Sequence, residues 1–485
     1  MKKLCLVFSF LPNLVIAQSL FPVEQQRIIA DTSDNWSYHV AKPLAPQESM
    51  PSLLMKNAAV QKISDDTLHD YPYIAQTMLS QAIYRRDVSE IKRLLDIYQN
   101  APSPDEILIL YAQGKIALLE SNYEVAIKYF RQIIGQHPDL NPVRIELAIA
   151  LFHDQQNSAA LNQFEKAGSV QNLPTAVRHL IATYKDALLK RNTWHINGHF
   201  YYDYNKNVNN TSYTRQIEDT NYYKMPSMLP QSANGIAYGL SVARDFNLIN
   251  SHYLRLENDL SGKEYWDNKD FSEITNRFSL GYTYKKANAT LSILPFYEKR
   301  WLAGSSYAKT QGIRIEGNYW LSPQWQVSSA FEYGKNRYTL SQVQDGYTQL
   351  LSTTLLWLPN PKQFFYLGVD FNREKTLVRQ YSSDTKSVRL GWGQEWEMAG
   401  LSTRTSLTYA KRDYKAEANL GGLLPLGKVR SDKVYGAQLT VWKRDWHLFG
   451  LTPKVRFFWR KHDSNLPSLY SYTNKGVQVL VEAQF

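Results

Sequence analysis

Trp194 opens a change of period that the rest of the chain keeps. Trp194, Ile196, Phe200, Tyr202 and Tyr204 fall on one side of an extended backbone, and His195, Asn197, His199, Tyr201 and Asp203 on the other. The alternation returns in Phe278, Leu280, Tyr282 and Tyr284 against Arg277, Ser279 and Thr283, and in Val455, Phe457 and Trp459 against Lys454, Arg456 and Arg460. One face suits lipid and the other water, the pattern of a transmembrane β-barrel. Counting such segments predicts fourteen antiparallel strands over residues 191–485.

The connections supply an independent check, because short and long ones alternate in a barrel. Asn247 to Asn250, Ala287-Asn288, Ser322-Pro323, Pro359-Asn360-Pro361 and Ala399-Gly400 form the short, periplasmic set, while Asn205 to Asn234 and Lys415 to Val429 are long. An even strand count brings both barrel ends to the periplasmic side. In the last segment Val477, Val479, Val481 and Ala483 alternate up to a terminal Phe485, the ending expected to be read by the outer-membrane barrel insertion machinery.

Upstream of residue 191 the apolar residues recur at helical spacing. Gly114, Ala126, Phe130 and Pro138 occupy the small, small, aromatic and proline positions of a tetratricopeptide repeat, and one 34-residue period later come Ala148, Ala160 and Phe164. Small residues let two helices touch, and the aromatic fills the space between neighbouring hairpins. Helices at Tyr73 to Arg85 and Val88 to Tyr98 supply a degenerate earlier unit, and Pro174 to Leu189 a capping helix, giving a helical domain over 71–190. The inner helices of such hairpins often form a concave groove, whose residues would be Tyr111, Lys115, Ile145, Ile149 and Phe152. The same positions also suit plain core between hairpins.

Residues 1–17 read as a secretory signal: two lysines, an apolar stretch from Leu4 to Ile16, and a small residue, Ala17, before Gln18. Residues 18–70 are a weakly patterned arm. The single cysteine, Cys5, lies within the signal, so a mature chain would have no disulfide, thiol nucleophile or cysteine metal site. Thirty-three tyrosines and twelve tryptophans accompany a mean hydropathy of −0.43, as expected where a wet face alternates with a lipid face and aromatic girdles mark the interfaces. A net charge of +11 matches lipopolysaccharide phosphates better than nucleic acid in an exported chain.

His195, His199 and Asp203 share a wet face without forming a metal site. Histidines four residues apart on a strand are about 13 Å apart, far beyond one ion's ligand sphere of about 2 Å. Arg277, Arg314, Arg389, Arg404, Arg412 and Arg456 face a lumen that also holds Asp203, Glu257, Glu298, Glu316 and Glu395, a mixture that braces a wall rather than selecting one ion sign. There is no Gly-rich phosphate loop and no assembled nucleophile and base, so neither an enzyme nor a cofactor is expected.

Longer stretches carry a family resemblance. Leu151-Phe152 through Gln156-Asn157 to Gln163-Phe164-Glu165-Lys166, Asn172-Leu173-Pro174, Trp392-Gly393-Gln394-Glu395-Trp396, Ala410-Lys411-Arg412, Asp432-Lys433 and Gly450-Leu451-Thr452-Pro453 resemble, in order, the surface lipoprotein assembly modulator (Slam) family. The resemblance runs from about Arg144 to the C-terminus. It implies an outer-membrane translocator of a Gram-negative bacterium, with periplasmic repeats and a 14-stranded barrel. Its partners would be client surface lipoproteins or related secreted ligand-capturing proteins. The competing reading is a small-molecule porin whose repeats serve as a tether.

Overall fold

A computed structural model describes residues 68, 71–420, 424–447 and 449–484 of the chain. The signal at 1–17, nearly all of the arm at 18–70 and the terminal Phe485 lie outside the described residues.

Among the described residues seven helices come first: α1 Pro72–Arg85, α2 Val88–Gln99, α3 Glu106–Leu119, α4 Tyr123–Gln136, α5 Asn141–His153, α6 Asn157–Gly168 and α7 Thr175–Arg191. Their starts are set locally. The Asp87 carboxylate accepts from the Glu90 amide at 3.1 Å, and Asp105 accepts from Ile107 and Leu108 at 2.9 and 3.3 Å, capping free N–H groups of α2 and α3. Arg86 takes a left-handed φ of 58° and ends α1.

The repeat positions lie where the hairpins touch. Gly114, Ala126, Phe130, Ala148, Ala160 and Phe164 are all buried. A β-carbon at Gly114 would lie only 2.5 Å from Phe130 Cε1, so this crossing is as close as a glycine permits. Phe164 stacks on Tyr184 of α7 at 5.1 Å, and α7 thereby covers the last apolar face of the stack.

The remaining chain forms one closed antiparallel barrel in which each strand pairs with its sequence neighbours and β14 returns to β1. It runs from β1 His195–Asn205, β2 Ala233–Ile249, β3 His252–Tyr265, β4 Glu273–Lys285 and β5 Ala289–Leu302 through β6 Ser305–Ser322, β7 Trp325–Tyr338, β8 Gly346–Asn360 and β9 Gln363–Thr376. It closes with β10 Ser383–Glu395, β11 Leu401–Leu420, β12 Leu424–Lys443, β13 Leu451–Ser464 and β14 Tyr472–Gln484. Closure leaves no sheet edge, which is what allows strands to cross lipid. Trp325, Trp357, Phe365 and Trp392 stack in a row at the short-turn end, part of an aromatic girdle.

Two connections differ from the sequence reading. The stretch from Lys415 to Val429 is not a loop, since β11 continues to Leu420 and β12 begins at Leu424, with register shifts after Asp413 and Glu417. β5 and β6 join on the opposite, otherwise long-loop side through Ala303 and Gly304 alone, whose φ angles of 50° and 72° make the tight turn that a right-twisted hairpin favours.

Candidate functional site

The helical domain is docked onto the short turns of the barrel. Lys286, between β4 and β5, donates to Asp154 Oδ2 at 3.1 Å and pairs with Glu124. Beside it, the Ser158 amide donates to Asn247 Oδ1 at 3.0 Å, and the Tyr253 hydroxyl donates to the Gln155 carbonyl at 2.5 Å. The turns after β2 and β4 therefore grip the loop between α5 and α6. Burial alone would lower the Lys286 pKa, but its hydrogen bonds to Glu124 and Asp154 outweigh that and hold the ammonium above its ordinary range.

Arg191, the last residue of α7, stiffens the same loop from within. Its guanidinium lies 3.6 Å over the Phe152 ring and donates to the Phe152 carbonyl at 2.8 Å and to Asn157 Oδ1 at 3.2 Å. Burial pulls its pKa down to about 10, which still leaves it fully charged at neutral pH.

The five groove candidates separate. Phe152 is fully buried, edge-on to Tyr184 at 4.9 Å, and Ile149 is buried in the same cluster. Lys115 is buried and paired with Glu146 at 2.7 Å. These three do not line an open groove, because packing of successive hairpins and α7 covers them. Tyr111 and Ile145 stay half-buried. Burial, together with the Glu146 carboxylate, pushes the Tyr111 phenol well above its usual range.

Inside the barrel, opposite charges meet across strands. Arg277 bridges Glu298 at 2.8 Å and Glu332 at 2.9 Å, Arg314 reaches Glu257 at 2.9 Å and Glu316 at 3.1 Å, and Arg412 reaches Glu374 at 2.8 Å. Arg389 and Asp370 pair at 2.7 Å with both side chains almost wholly buried. Asp203 accepts from the Tyr265 hydroxyl at 2.7 Å and sits 3.6 Å from Lys263, so it belongs to the same bracing. His195 is exposed at the start of β1, and His199 stacks beside Tyr201. Among the described residues no cluster of three or more His, Cys, Asp and Glu side chains is arranged to hold a metal ion.

One seam of the barrel differs from the rest, between the terminal strands in which Gly198 and Gly476 weaken the pairing. Among the described residues β1 pairs with β14 over five positions, Asn197↔Gln484 to Tyr201↔Leu480, whereas it pairs with β2 over eleven. Beyond Tyr201, in the half of the barrel away from the helical domain, no ladder pair joins these strands. Side chains cross instead: Gln478 Nε2 donates to Asp203 Oδ1 and Asn474 Nδ2 to Asn205 Oδ1, both at 3.3 Å. Val477 and Val479 are left 61% and 63% exposed on the outer face.

The β1–β2 connection straps the far end of this seam. Thr211 Oγ1 and the Ser212 amide donate to the Leu469 carbonyl at 3.2 and 3.3 Å, and the Glu218 amide donates to Ser468 Oγ at 3.0 Å, both acceptors lying in the short helix α8, Pro467–Tyr470. Lys224 is buried under the strap and donates to the Ser212 carbonyl at 2.5 Å. Burial lowers its pKa to about 8.

Residues 194–485 match the family model described as surface lipoprotein assembly modifier, and residues 61–164 match the model of that family's N-terminal TPR repeats. The chain is 35% identical over 456 residues to surface lipoprotein assembly modifier 1 of Haemophilus influenzae, covering 92% of each protein. It is 32% identical over 485 residues to surface lipoprotein assembly modifier of Pasteurella multocida, covering 96% of this chain and 93% of that one. A more distant relative, at 24% identity with 81% of this chain and 82% of the other covered, is the hemophilin secretion modulator of Acinetobacter baumannii. With a docked repeat domain, a fourteen-stranded barrel and these matches along nearly its whole length, the chain belongs to the surface lipoprotein assembly modifier (Slam) family.

Proposed function

We propose that this protein moves client surface lipoproteins, or related secreted ligand-capturing proteins, across the outer membrane to the cell surface, without acting as an enzyme. The observation that carries the reading is the docking of the repeat domain on the short-turn end of the barrel. Lys286 and its carboxylate partners hold the repeat domain on these turns, and in this reading it is the module that holds a polypeptide at the periplasmic mouth. Relatives that carry assembly and secretion names over the whole length of this architecture support the same reading.

In this account residues 1–17 direct export and are removed before Gln18, residues 71–190 gather the client in the periplasm, and residues 191–485 form the membrane part. Tyr111 and Ile145 are the groove candidates left open to a client segment. Phe485 marks the chain for the barrel insertion machinery, and lipopolysaccharide surrounds the outer rim. A porin would need a same-sign constriction, whereas this lumen is crossed by paired charges of both signs.

Protease shaving of intact cells with and without the gene, at matched total client level, tests the reading. Export is supported if a candidate surface lipoprotein disappears from the surface but remains in the cell. It is refuted if every candidate stays exposed and only small-solute uptake changes.

A further inference from the structure

The outer wall of β5 to β9 carries cations in an arrangement that the protein itself does not balance. Lys299, Lys309 and Arg337 are direct partners in one row across β5, β6 and β7. Two residues lower, Lys335 and Lys375 flank Tyr347 across β7, β8 and β9. Alternation places all five on the lipid side, at the strand ends away from the helical domain, and above the apolar band of Ile293, Ile315 and Phe331. Neighbouring strands lie about 5 Å apart, so the upper row packs three positive charges within about 10 Å.

Like charges placed directly opposite one another disfavour strand pairing. Among the described residues none of the five has a carboxylate partner. The next cationic sector, where Lys386, Lys411 and Lys433 are direct partners in one row, is balanced in part: Arg373 pairs with Asp384 at 2.8 Å, Lys415 with Asp384 at 2.6 Å and Lys411 with Asp413 at 3.3 Å. Toward the same end, the outward faces of β1 to β4 carry Tyr204, Asn234, Glu264 and Asn276, with a single lysine, Lys206, over the Tyr204 ring. Among the described residues these five cations therefore stand without a carboxylate on the wall opposite the β1–β14 seam.

We infer that this wall binds a multiply phosphorylated glycolipid of the outer leaflet, its phosphates seated on Lys299, Lys309 and Arg337 and its acyl chains against the apolar band below. A head group with a single phosphate would be satisfied by one cation, whereas two rows of cations call for a multivalent anion. Tyr297 and Tyr347 lie in the lower charged row and Tyr333 just beneath it, at the level where aromatic side chains mark the membrane interface. The inference rests on outer-membrane placement and not on export, so loss of the lipid and loss of client transport are separate results.

Native mass spectrometry of the full-length protein purified in mild detergent, followed by titration with bisphosphorylated lipid A, tests it. Two variants are compared with wild type: Lys299→Ser/Lys309→Ser/Arg337→Ser, and Lys309→Glu alone. The single variant places a carboxylate between two cations, so it should keep or raise the thermal stability of the barrel while lipid occupancy falls at least ten-fold. A purely structural role would not separate the two readouts. Ser replacements at Arg373 and Lys415, both paired with Asp384, should leave occupancy unchanged. Equal occupancy in wild type and Lys309→Glu would overturn the inference, as would equally tight binding of dephosphorylated lipid A or of phosphatidylglycerol.

Discussion

Lys286 in a barrel turn and Asp154 at the end of a repeat helix are 3.1 Å apart, and this pair joins the two halves of the molecule. Asp154 is almost completely buried, so removing Lys286 leaves its charge facing the Gln156 amide without the ammonium that balances it. Lys286→Glu should weaken docking by roughly 1–3 kcal/mol and make the residue 154–158 loop sensitive to protease, while the barrel keeps its heat-modifiable gel mobility. Client export should fall, and a second change, Asp154→Lys, should restore part of it. Full export from the single variant would show that the domains work without being held together.

Gly114 and Phe130 test the repeat packing. Gly114→Ala puts a methyl group 2.5 Å from the Phe130 ring and should cost about 1–3 kcal/mol, while Phe130→Ala opens a cavity and should cost about 3–5 kcal/mol. Combined, the two should cost less than their sum, because each relieves the other. Thermal unfolding followed by circular dichroism of the four full-length proteins checks this, and strict additivity would contradict the contact.

Much of this fold is legible from period alone. The alternation of Val455, Phe457 and Trp459 and the 34-residue spacing of Phe130 and Phe164 each report a local environment that the residue type itself encodes. Lys415 to Val429 read as a loop because its strands run beyond the apolar band, where both faces meet water and the two-residue hydropathy signal disappears. Phe152 read as a groove residue because helical spacing gives a face but not what covers it, and the cover is Tyr184, 32 residues later. The Lys286 contacts and the short β1–β14 ladder are set by how distant segments meet, and no local pattern announces them. Gly198 and Gly476, in the two strands of that seam, give a local hint of it, since glycine weakens strands.

Lys224 should give the seam strap a pH dependence. Its folded pKa of about 8 lies below the ordinary lysine value, so the folded strap binds fewer protons than the open one and its stability rises with pH. The penalty for the buried ammonium is full below pH 8 and relieved as pH climbs through about 8 toward about 10.5. Proteolysis of residues 206–232 in the purified protein should therefore slow between pH 7 and pH 10, after correction for the protease's own pH profile. Lys224→Met should flatten that dependence, and an unchanged slope in the variant would assign it elsewhere.

The seam itself can be locked. Extending the observed register places Tyr204 opposite Val477, and Cys5 is the sequence's one cysteine. A cleavable thiol cross-linker joining Tyr204→Cys to Val477→Cys should reduce client export at least ten-fold, with recovery on reduction. The same cross-link between Phe331→Cys and Leu351→Cys, partners in a continuous ladder, should have no effect. Normal export through a locked seam would rule out lateral opening as part of the route.

The most direct measurement uses purified parts: proteoliposomes holding this protein with its helical domain outward, a lipidated client added outside, and external protease. The expected result is client protected inside vesicles that contain the wild-type protein, with at least ten-fold less protection for Lys286→Glu. A client that stays fully digestible while small solutes equilibrate through the barrel would contradict translocation and leave a pore.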